Sequence, residues 1–564
     1  MAFQISPGVN VSEIDLTTVV PSVLSTTGAF VGTFNWGPVN KIITIDSEIT
    51  LNSRFAPAGP DANSAVSYFT SANFLAYGNN LQLVRAVGAN SYNSTANTNT
   101  IQVKNKDDFE YTYLNQNNLN YFGAFIARYP GIIGNSLTVS VCGNASDFST
   151  WLYKSYFTGA PGTSTYVYAV NGSNDEMHIA VIDTKGIFSG TANTVLETYA
   201  YVSKASDATV NGESNYYKQV IFNNSKYLFA MDPVNYSTTS STWGTAASNT
   251  TYANTTSNPT VTLANGSDEN PTDAKIQLGW DLFKNKETVD ISLVLTGDSS
   301  VTNQQYVIDN IVNSRMDCVA FISPPKTSVV NQAGSESTNI TTWLTSLSRS
   351  SSYVVVDSGW KYQYDKYNQN YRYIPLNADI AGLCVYTDTI RDPWFSPAGF
   401  NRGAIKNCVK LAWNPNKTYR DILYAAGVNP VVSFPGQGTV LFGDKTLQSK
   451  PSAFDRINVR RLFIVLEKAI STAAKFSLFE LNDEFTRAQF VALVTPFLRD
   501  IQGRRGITDF KVVCDSTNNT GQVIDSNQFV GDIYIKPARS INFIQLNFVA
   551  VATGVDFTTI VGVV

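Results

Sequence analysis

Two consecutive stretches near the C-terminus carry most of the information on the fold. Leu411–Lys450 is LAWNPNKTYRDILYAAGVNPVVSFPGQGTVLFGDKTLQSK, and Pro451–Arg487 is PSAFDRINVRRLFIVLEKAISTAAKFSLFELNDEFTR. In the first stretch, residues 430–442 place two short apolar runs around the turn Pro435-Gly436-Gln437-Gly438. Such runs on either side of a glycine- and proline-rich turn predict two strands.

The second stretch predicts a pair of helices. Apolar residues recur on one face from Asn458 to Leu481, which is the spacing of an amphipathic helix. Asn482 can end this helix and cap the next, predicted over 484–502 and ended by the glycines at 503 and 506. Three strands are predicted beyond them, and the last contains SINFIQLNFVAV, which is apolar on alternate residues.

Upstream, residues 288–360 alternate between strand and helix patterns. ISLVL, CVAFI and YVVVD are continuous apolar runs, with helical patterns at 304–314 and 339–348 between them. Buried parallel strands joined by crossover helices are the expected arrangement. Residues 28–87 add further short strands and a helix predicted over Ala62–Tyr77.

Residues 91–270 have a different texture, rich in Asn, Ser, Thr, Gly and Tyr. Short apolar runs, including Leu137–Val141, Tyr166–Val170 and His178–Ile182, are separated by turn residues. This pattern predicts an inserted all-β domain. The chain as a whole is therefore predicted to be α+β and α/β, with several domains.

Both chain ends read as extended, strand-like segments. In the first of them Val9 and Val11 point one way and Ile14 the other, between Pro7-Gly8 and Pro21. In the last, apolar residues alternate with asparagines, and the apolar positions are Ile541, Phe543, Leu546 and Phe548. An extended segment without a hairpin partner must pair elsewhere, either in a neighbouring copy or within its own subunit.

Composition narrows the class of protein. The chain has 564 residues with a net charge of −4, and only 15% of them are charged. A slightly acidic chain is not built to coat nucleic acid, and a low-charge surface suits stacking against copies of itself. The five cysteines are scattered and form no CxxC pair, so neither a zinc site nor a disulfide framework is expected. No apolar run reaches the ~18 residues of a membrane helix, and no signal peptide is recognisable, so no membrane insertion is expected.

Three motifs in the sequence are candidates for a catalytic or nucleotide-binding site. His178 is the only histidine and lies in a strand pattern, where a half-exposed structural role is expected. Gly297-Asp298-Ser299 resembles the GDS block of one hydrolase class, but no histidine follows it, so an ordinary turn is the better interpretation. GTVLFGDKT at 438–446 nearly matches a phosphate loop, but Asp444 separates Gly443 from the lysine. No catalytic residue, metal ligand or cofactor site is predicted.

The predicted helix over 458–481 carries a basic stripe. Arg461, Lys468 and Lys475 are spaced by seven residues, which is within ~20° of two full helical turns. Such a stripe is either a solvated face or a surface for an acidic partner.

Several blocks together resemble the tail sheath proteins of contractile-tailed phages, in the T4-like myovirus branch. They are PGVNVSEIDLT at the N-terminus, RDPWFSPAGFNRG at 391–403, the 411–485 region and GDIYIKPARSINFIQLNF at 531–548. The resemblance covers the N-terminal arm and most of the last ~170 residues. Residues 91–270 match nothing recognisable.

The resemblance implies an assembly made of copies of this chain. Sheath subunits form six-fold rings stacked helically around a tail tube protein, their terminal arms exchange strands with neighbours, and contraction drives the tube through the host envelope. The resemblance also implies baseplate and tail terminator partners, a place in the virion's contractile tail after assembly in the host cytoplasm, and the tube as the partner of the Arg461, Lys468 and Lys475 stripe. The domains it implies are an N-terminal arm (1–20), the N-terminal part of the sheath core (21–90), an outward-facing insertion (91–270), a subtilisin-like α/β domain (271–398), a tube-facing C-terminal domain (399–530), and a C-terminal strand and arm (531–564).

Three alternatives remain open at this point, and one of them is a receptor-binding or adhesin role for the insertion at 91–270. The chain also resembles the sheath of a phage-derived injection device, such as a tailocin or a secretion-like system, although the T4-like blocks favour a phage virion. A hydrolase built on the α/β region, with Ser299 as nucleophile, is the enzyme alternative.

Overall fold

The computed structural model describes residues 23–114, 123–231, 242–255 and 257–545. Its centre is a seven-stranded sheet with five parallel pairings and one antiparallel edge pairing. In spatial order the strands are Val428–Asn429, Val354–Asp357, Val319–Ile322, Leu293–Leu295, Gly28–Gly32, Leu81–Arg85 and Ile43–Ile45. Every residue of Val319–Ile322 and Val354–Asp357 is buried, which confirms the parallel, two-sided burial predicted from their continuous apolar runs.

Helices cover both faces of this central sheet. Ala62–Leu75 begins at Asp61, whose carboxylate accepts from the Ser64 N–H at 2.9 Å. The helix from Val301 continues through a π turn at Val307–Val312 and ends at Arg315, where Met316 adopts a left-handed conformation. The remaining helices of this layer are Glu48–Phe55, Asp273–Asp281, Lys326–Val329, Glu336–Leu347, Asn377–Ile390 and Lys417–Ala425.

Two small antiparallel sheets flank the central one. Trp360–Asp365 pairs with Asn370–Pro375 and with Lys410–Leu411. Val431–Phe434 pairs with Gly438–Leu441, which confirms the predicted strands on either side of the turn at 435–438. Because Val428–Asn429 belongs to the central sheet, the central domain extends well past residue 398, the boundary that the resemblance implied.

Residues 91–267 form an insertion with its own core. Its main sheet is antiparallel, with the strands in the spatial order Thr260–Thr262, Leu137–Cys142, Glu176–Asp183 and Thr194–Ser203. Two further pairs of short strands are Phe125–Ala127 with Leu228–Ala230 and Thr209–Val210 with Glu213–Ser214. Its two ends meet side by side, because the Gly88 N–H donates to the Glu269 carbonyl at 3.0 Å. An insertion that enters and leaves at one point does not interrupt the central sheet.

The insertion is not all-β, so this part of the predicted fold class is wrong. It also contains the helices Lys106–Thr112, Ala145–Phe148, Thr165–Ala169 and Tyr217–Asn224. The predicted strand at Tyr166–Val170 is one of them. The Ser164 hydroxyl oxygen caps this helix by accepting a hydrogen bond from the Val167 N–H at 3.3 Å. The same hydroxyl donates a hydrogen bond to the Asp175 carboxylate at 2.8 Å. A cap anchored by a distant carboxylate outweighs the strand propensity of these residues.

The C-terminal part consists of two long helices and a two-stranded ribbon. The helices are Ile457–Ala474 and Glu484–Gly503, and the ribbon pairs Ile507–Val513 with Asp532–Pro537. Their shared core includes Trp394, Leu462, Leu466, Phe490, Val494 and Leu498. The first helix ends seven residues before the predicted Leu481 and closes with a 3₁₀ turn at Lys475–Ser477. Asp483, and not the predicted Asn482, caps the second helix by accepting from the Thr486 N–H at 2.8 Å.

Short elements complete the described parts of the chain. They are the helix Gly521–Asp525 and the 3₁₀ turns Ile132–Ser136, Lys154–Tyr156 and Ala453–Asp455. Among the helices of these described parts, none combines the length and apolar character needed to cross a lipid bilayer.

Candidate assembly surfaces

The single histidine is part of the insertion core. His178 is fully buried, with Phe157 stacked on it at a centroid distance of 4.4 Å. Its Nε2 lies 2.9 Å from the Gly159 carbonyl, and its Nδ1 accepts from the Tyr201 N–H at 3.1 Å. Both ring nitrogens are therefore occupied by backbone groups, and the predicted half-exposed position is wrong. The ring is a structural cross-link between segments of the insertion.

His178 should make the insertion sensitive to acid. Burial lowers the pKa of His178, and the bond to Gly159 only partly opposes this. The unfolded chain therefore takes up a proton near the ordinary pKa of about 6.5, whereas the folded chain takes it up at lower pH. Stability contributed by the neutral ring is present above pH ~6.5 and declines as pH falls toward the folded pKa.

We expect His178→Phe to flatten this pH dependence, although it also costs stability at every pH by removing two backbone partners. Unfolding of the insertion, followed at several pH values between 4 and 8 in both proteins, measures the slope. Because the chain has one histidine, the NMR signal of its imidazole gives the folded pKa directly. A wild-type imidazole that titrates at or above the ordinary value would contradict the argument.

The two motifs weighed as catalytic or nucleotide-binding do not assemble into sites. Ser299 follows the strand Leu293–Leu295, while the only histidine is held in the insertion core. In the near phosphate loop, Gly438–Leu441 is a strand, and the Lys445 ammonium donates to the Tyr424 carbonyl at 2.7 Å. The described ranges contain no group of three or more His, Cys, Asp or Glu side chains placed to hold a metal. All five cysteines are unpaired thiols.

The basic stripe faces the central domain rather than solvent. The Arg461 guanidinium donates to both carboxylate oxygens of Asp388, at 2.8 and 2.5 Å, and both side chains are at most 6% exposed. Burial alone would lower the pKa of Arg461, but the Asp388 carboxylate reverses this and holds the pKa above its ordinary value. The Lys468 ammonium lies 2.7 Å from Asp290 and donates to the Ile291 carbonyl at 2.9 Å.

For Arg461 and Lys468, this arrangement corrects the prediction that they face the tube. Arg461 and Lys468 form ion pairs with carboxylates of their own chain, so they are not available to an acidic partner. Of the three cations only Lys475 is exposed. The stripe instead fixes the Ile457–Ala474 helix to the central domain. Ser25 joins the same cluster, because its hydroxyl donates to Asp388 at 2.6 Å.

The turn between the two long helices carries an exposed apolar tip that the sequence analysis missed. Its side chains are Phe476, Leu478, Phe479, Leu481 and Phe485, with exposed fractions from 61% to 104%. Large apolar side chains clustered on a surface mark an interaction site more often than a solvated loop. The available signal was four apolar residues among the six positions 476–481 of KFSLFEL, a density that one helix face cannot bury.

The C-terminal ribbon offers unpaired strand edges. In the described part of the chain, Ile507–Val513 and Asp532–Pro537 pair only with each other. Beside the first strand a groove of about 530 Å³ runs along the second helix, lined by Ala488, Val491, Ala492, Thr495, Pro496, Val512, Cys514 and Asp515. A free edge next to a groove of small side chains has the geometry that receives an added strand.

The start of the predicted C-terminal arm is held on its own subunit by polar contacts. Asp444 accepts from the Ser540 hydroxyl at 2.7 Å and from the Asn542 amide at 2.9 Å. Between and beyond these anchors, Ile541 and Phe543 are 80% and 85% exposed. The other predicted arm residues, Val9, Val11, Ile14, Leu546 and Phe548, lie outside the described residues.

Comparison with known proteins decides the family. A model described as the phage tail sheath protein central domain matches residues 269–447, and one described as the phage tail sheath C-terminal domain matches residues 449–550. The tail sheath protein of Vibrio phage KVP40 is 34% identical over 99% of this chain and 100% of its own length. The chain belongs to the phage tail sheath family. The tail sheath protein of Enterobacteria phage T4 is 32% identical over 99% of both chains.

Solved sheath structures share the fold of this sheath subunit. The sheath tail protein Lin1278 from Listeria innocua has a TM-score of 0.54 at 10% identity, over 93% of this chain and 97% of its own. A sheath tail protein from Desulfitobacterium hafniense has a TM-score of 0.51 at 13% identity, over 94% of this chain and 100% of its own. The subunit is thus a structural component of a contractile phage tail.

Proposed function

We propose that this subunit polymerises with its own copies into stacked six-fold rings around a tail tube, and that contraction of this sheath drives the tube through the host envelope. The observation that carries the proposal is the C-terminal ribbon, whose outer edges are unpaired within the described residues. A protein with exposed strand edges either blunts them or uses them to bind other chains. In this proposal the subunit contributes binding surfaces and no catalysis, and it needs no cofactor.

Strand exchange gives the lattice its connections. An arm from one copy pairs with an edge of the ribbon in another, so that backbone hydrogen bonds set direction and the groove beside Val512 accepts alternate side chains. Sixteen extended residues span about 55 Å, which is enough to reach across to an adjoining protomer. Ile541 and Phe543 lie on either side of Asn542, and their exposed side chains are available to contact a neighbour.

Contraction requires subunits that move as rigid bodies while their links bend. Within one subunit, the buried pair of Arg461 and Asp388 and the contact of Lys468 with Asp290 hold the C-terminal helices on the central domain. Ser25 and Leu24 are fixed at the same place, since the Ser292 hydroxyl donates to the Leu24 carbonyl at 3.0 Å. Movement is therefore assigned to the arms, with Pro7-Gly8 and Pro21 as hinges. The predicted hinge at 521–527 is dropped, because Gly521–Asp525 is a helix between the two strands of the ribbon.

For the tube, the exposed apolar tip replaces the basic stripe as the proposed contact. The tip residues Phe476, Leu478, Phe479, Leu481 and Phe485 project from the turn between the two helices, with Lys475 at its base. We assign the insertion, 91–270, to the outer surface, because a unit joined at one point can be changed without altering the assembly surfaces. Baseplate and tail terminator proteins are the proposed partners at the two ends of the sheath, in a virion assembled in the host cytoplasm.

Negative-stain electron microscopy of the purified chain tests the proposal. We expect hollow, striated cylinders from the wild type alone, since the arms and the ribbon are both present in one chain. The variant Phe476→Ser/Phe479→Ser should still form cylinders but should no longer coat tail tubes when the two are mixed. A wild type that remains monomeric at high concentration would contradict self-assembly. Loss of cylinders in the variant would move the tip from the tube to the subunit interface.

The injection-device alternative differs from this proposal only in what the tube delivers. The sequence relatives that are 31–34% identical over nearly the full length are phage proteins, which favours a virion. The hydrolase alternative has no free histidine to serve as its base, because both ring nitrogens of His178 are hydrogen-bonded to backbone groups.

A further inference from the structure

The central sheet contains a point where its connections diverge. After Gly28–Gly32 the chain forms Ile43–Ile45 and Leu81–Arg85 on one side, whereas after Leu293–Leu295 it forms Val319–Ile322 on the other. In open parallel sheets, the crevice at the carboxyl ends of two such strands is the usual place for a ligand. Here it holds a cavity of about 190 Å³, with Thr33 from one strand end and Ser299 from the other among its walls.

Two polar atoms lining this cavity have no hydrogen-bond partner within the described residues. The Asn303 side chain is 1% exposed, and its amide nitrogen donates to Asp273 at 2.8 Å. A carboxylate can only accept, so this bond identifies the remaining Asn303 atom as the oxygen, which is unpartnered. The buried Ser299 hydroxyl is also unpartnered. An orphaned buried acceptor costs stability unless a donor reaches it.

The charge of the lining selects the kind of donor. Asp273 and Asp298 both line the cavity, and no Lys, Arg or His does. Trp280 and Phe30 supply aromatic surface, which attracts cations over the ring face. The volume is below the ~300 Å³ of a site for a drug-sized ligand, and it suits one small head-group.

We propose that this cavity binds a small organic cation, an ammonium or guanidinium group about the size of a lysine or arginine head-group. Asn303 Oδ1 and the Ser299 hydroxyl accept its N–H groups, and Asp298 at the mouth supplies the countercharge. The cation is either a free small molecule or the side chain of an adjoining copy. The inference does not depend on the proposed strand exchange.

Saturation-transfer NMR on the full-length chain, kept below the concentration at which it assembles, tests the proposal. Methylguanidinium is the probe, and the nearly isosteric but neutral N-methylurea is its control. We expect saturable binding of the cation, at least roughly tenfold tighter than that of the urea, since bonds to a charged donor are the stronger ones. Asp298→Asn and Ser299→Ala should each weaken it several-fold with unchanged thermal unfolding, while Asp525→Asn, a matched charge change elsewhere, should leave it intact.

Equal binding of the charged and neutral probes, or binding that ignores both Asp298→Asn and Ser299→Ala, would overturn the proposal and leave the cavity to water. The same titration on assembled cylinders separates the two sources of the cation. A site that still binds methylguanidinium there takes a free cation, and a site that is blocked takes a neighbour's side chain. Both results require that the unassembled chain binds the cation.

Discussion

Asp388→Ala is expected to loosen the whole C-terminal part of the subunit from the central domain. Asp388 and Arg461 are buried, and removal of one member strands the charge of the other. Breaking a buried pair in this way costs about 3–5 kcal/mol. Native-state hydrogen exchange measures this loss of stability residue by residue. The amides of Ile457–Ala474 should exchange at least roughly 100-fold faster, because each 1.4 kcal/mol changes the opening equilibrium about tenfold.

The variant Asp388→Leu/Arg461→Met provides the critical comparison. It removes both charges, so no uncompensated ion remains, and it should exchange more slowly than Asp388→Ala. Asp421→Ala is the matched control, because Asp421 pairs with Lys417 on an exposed helix face at side-chain exposures of 67% and 84%, where a pair contributes little. If exchange in Ile457–Ala474 is the same in Asp388→Ala and in the control, the pair does not join the two domains.

The basic stripe shows what periodicity can and cannot establish. The seven-residue spacing correctly placed Arg461 and Lys468 on one helix face. It could not say which way the face points, because the carboxylates that receive them are distant in sequence: Asp388 is 73 residues from Arg461, and Asp290 is 178 residues from Lys468. A buried ionic face and a solvated one have the same local pattern, and only tertiary packing separates them.

The central sheet was more predictable because its signal is local and redundant. CVAFI and YVVVD are short runs that are apolar on both faces, and helical patterns separate them, which favours buried parallel strands. In the insertion, Tyr166–Val170 has the same composition as a strand but is helical, since its cap at Ser164 depends on Asp175. The cavity of about 190 Å³ in the central sheet could not be predicted for a related reason. Asn303, Ser299 and Thr33 line it together only because two strands that are distant in sequence pair in the fold.

The apolar tip marks a different failure. The apolar character of the residues up to Leu481 predicts that the first helix continues to that residue, yet the helix ends at Ala474. Phe476, Leu478 and Phe479 do not continue its buried face, and Phe479 takes a left-handed conformation at φ 71°. Apolar residues that break helical spacing, next to a helix end, therefore indicate an exposed contact surface rather than more core.

Deletion of residues 1–16 is expected to abolish polymerisation while leaving a folded monomer. The described core begins only at Thr27, and the anchors at Leu24 and Ser25 remain in the shortened chain. Folding should therefore be preserved, as judged by circular dichroism and by thermal unfolding within a few degrees of wild type. Assembly loses one of its two predicted arms, and with it a ladder of backbone hydrogen bonds at every subunit contact. Electron microscopy and sedimentation should show monomers where the wild type gives cylinders.

Side-chain variants distinguish the arm's sequence from its mere length. Val9→Asn/Val11→Asn keeps the length of the arm but removes the apolar side that an acceptor groove would bury. Each buried valine contributes ~1–2 kcal/mol at the contact, so the variant should raise the concentration needed for assembly at least roughly tenfold. Asn10→Ser/Ser12→Asn exchanges polar residues on the opposite side and should assemble like wild type. Cylinders formed normally by the 1–16 deletion would exclude the arm as a link. Equal effects of both substitution pairs would show that the segment binds without a preferred face, which alternate pairing along a strand edge does not allow.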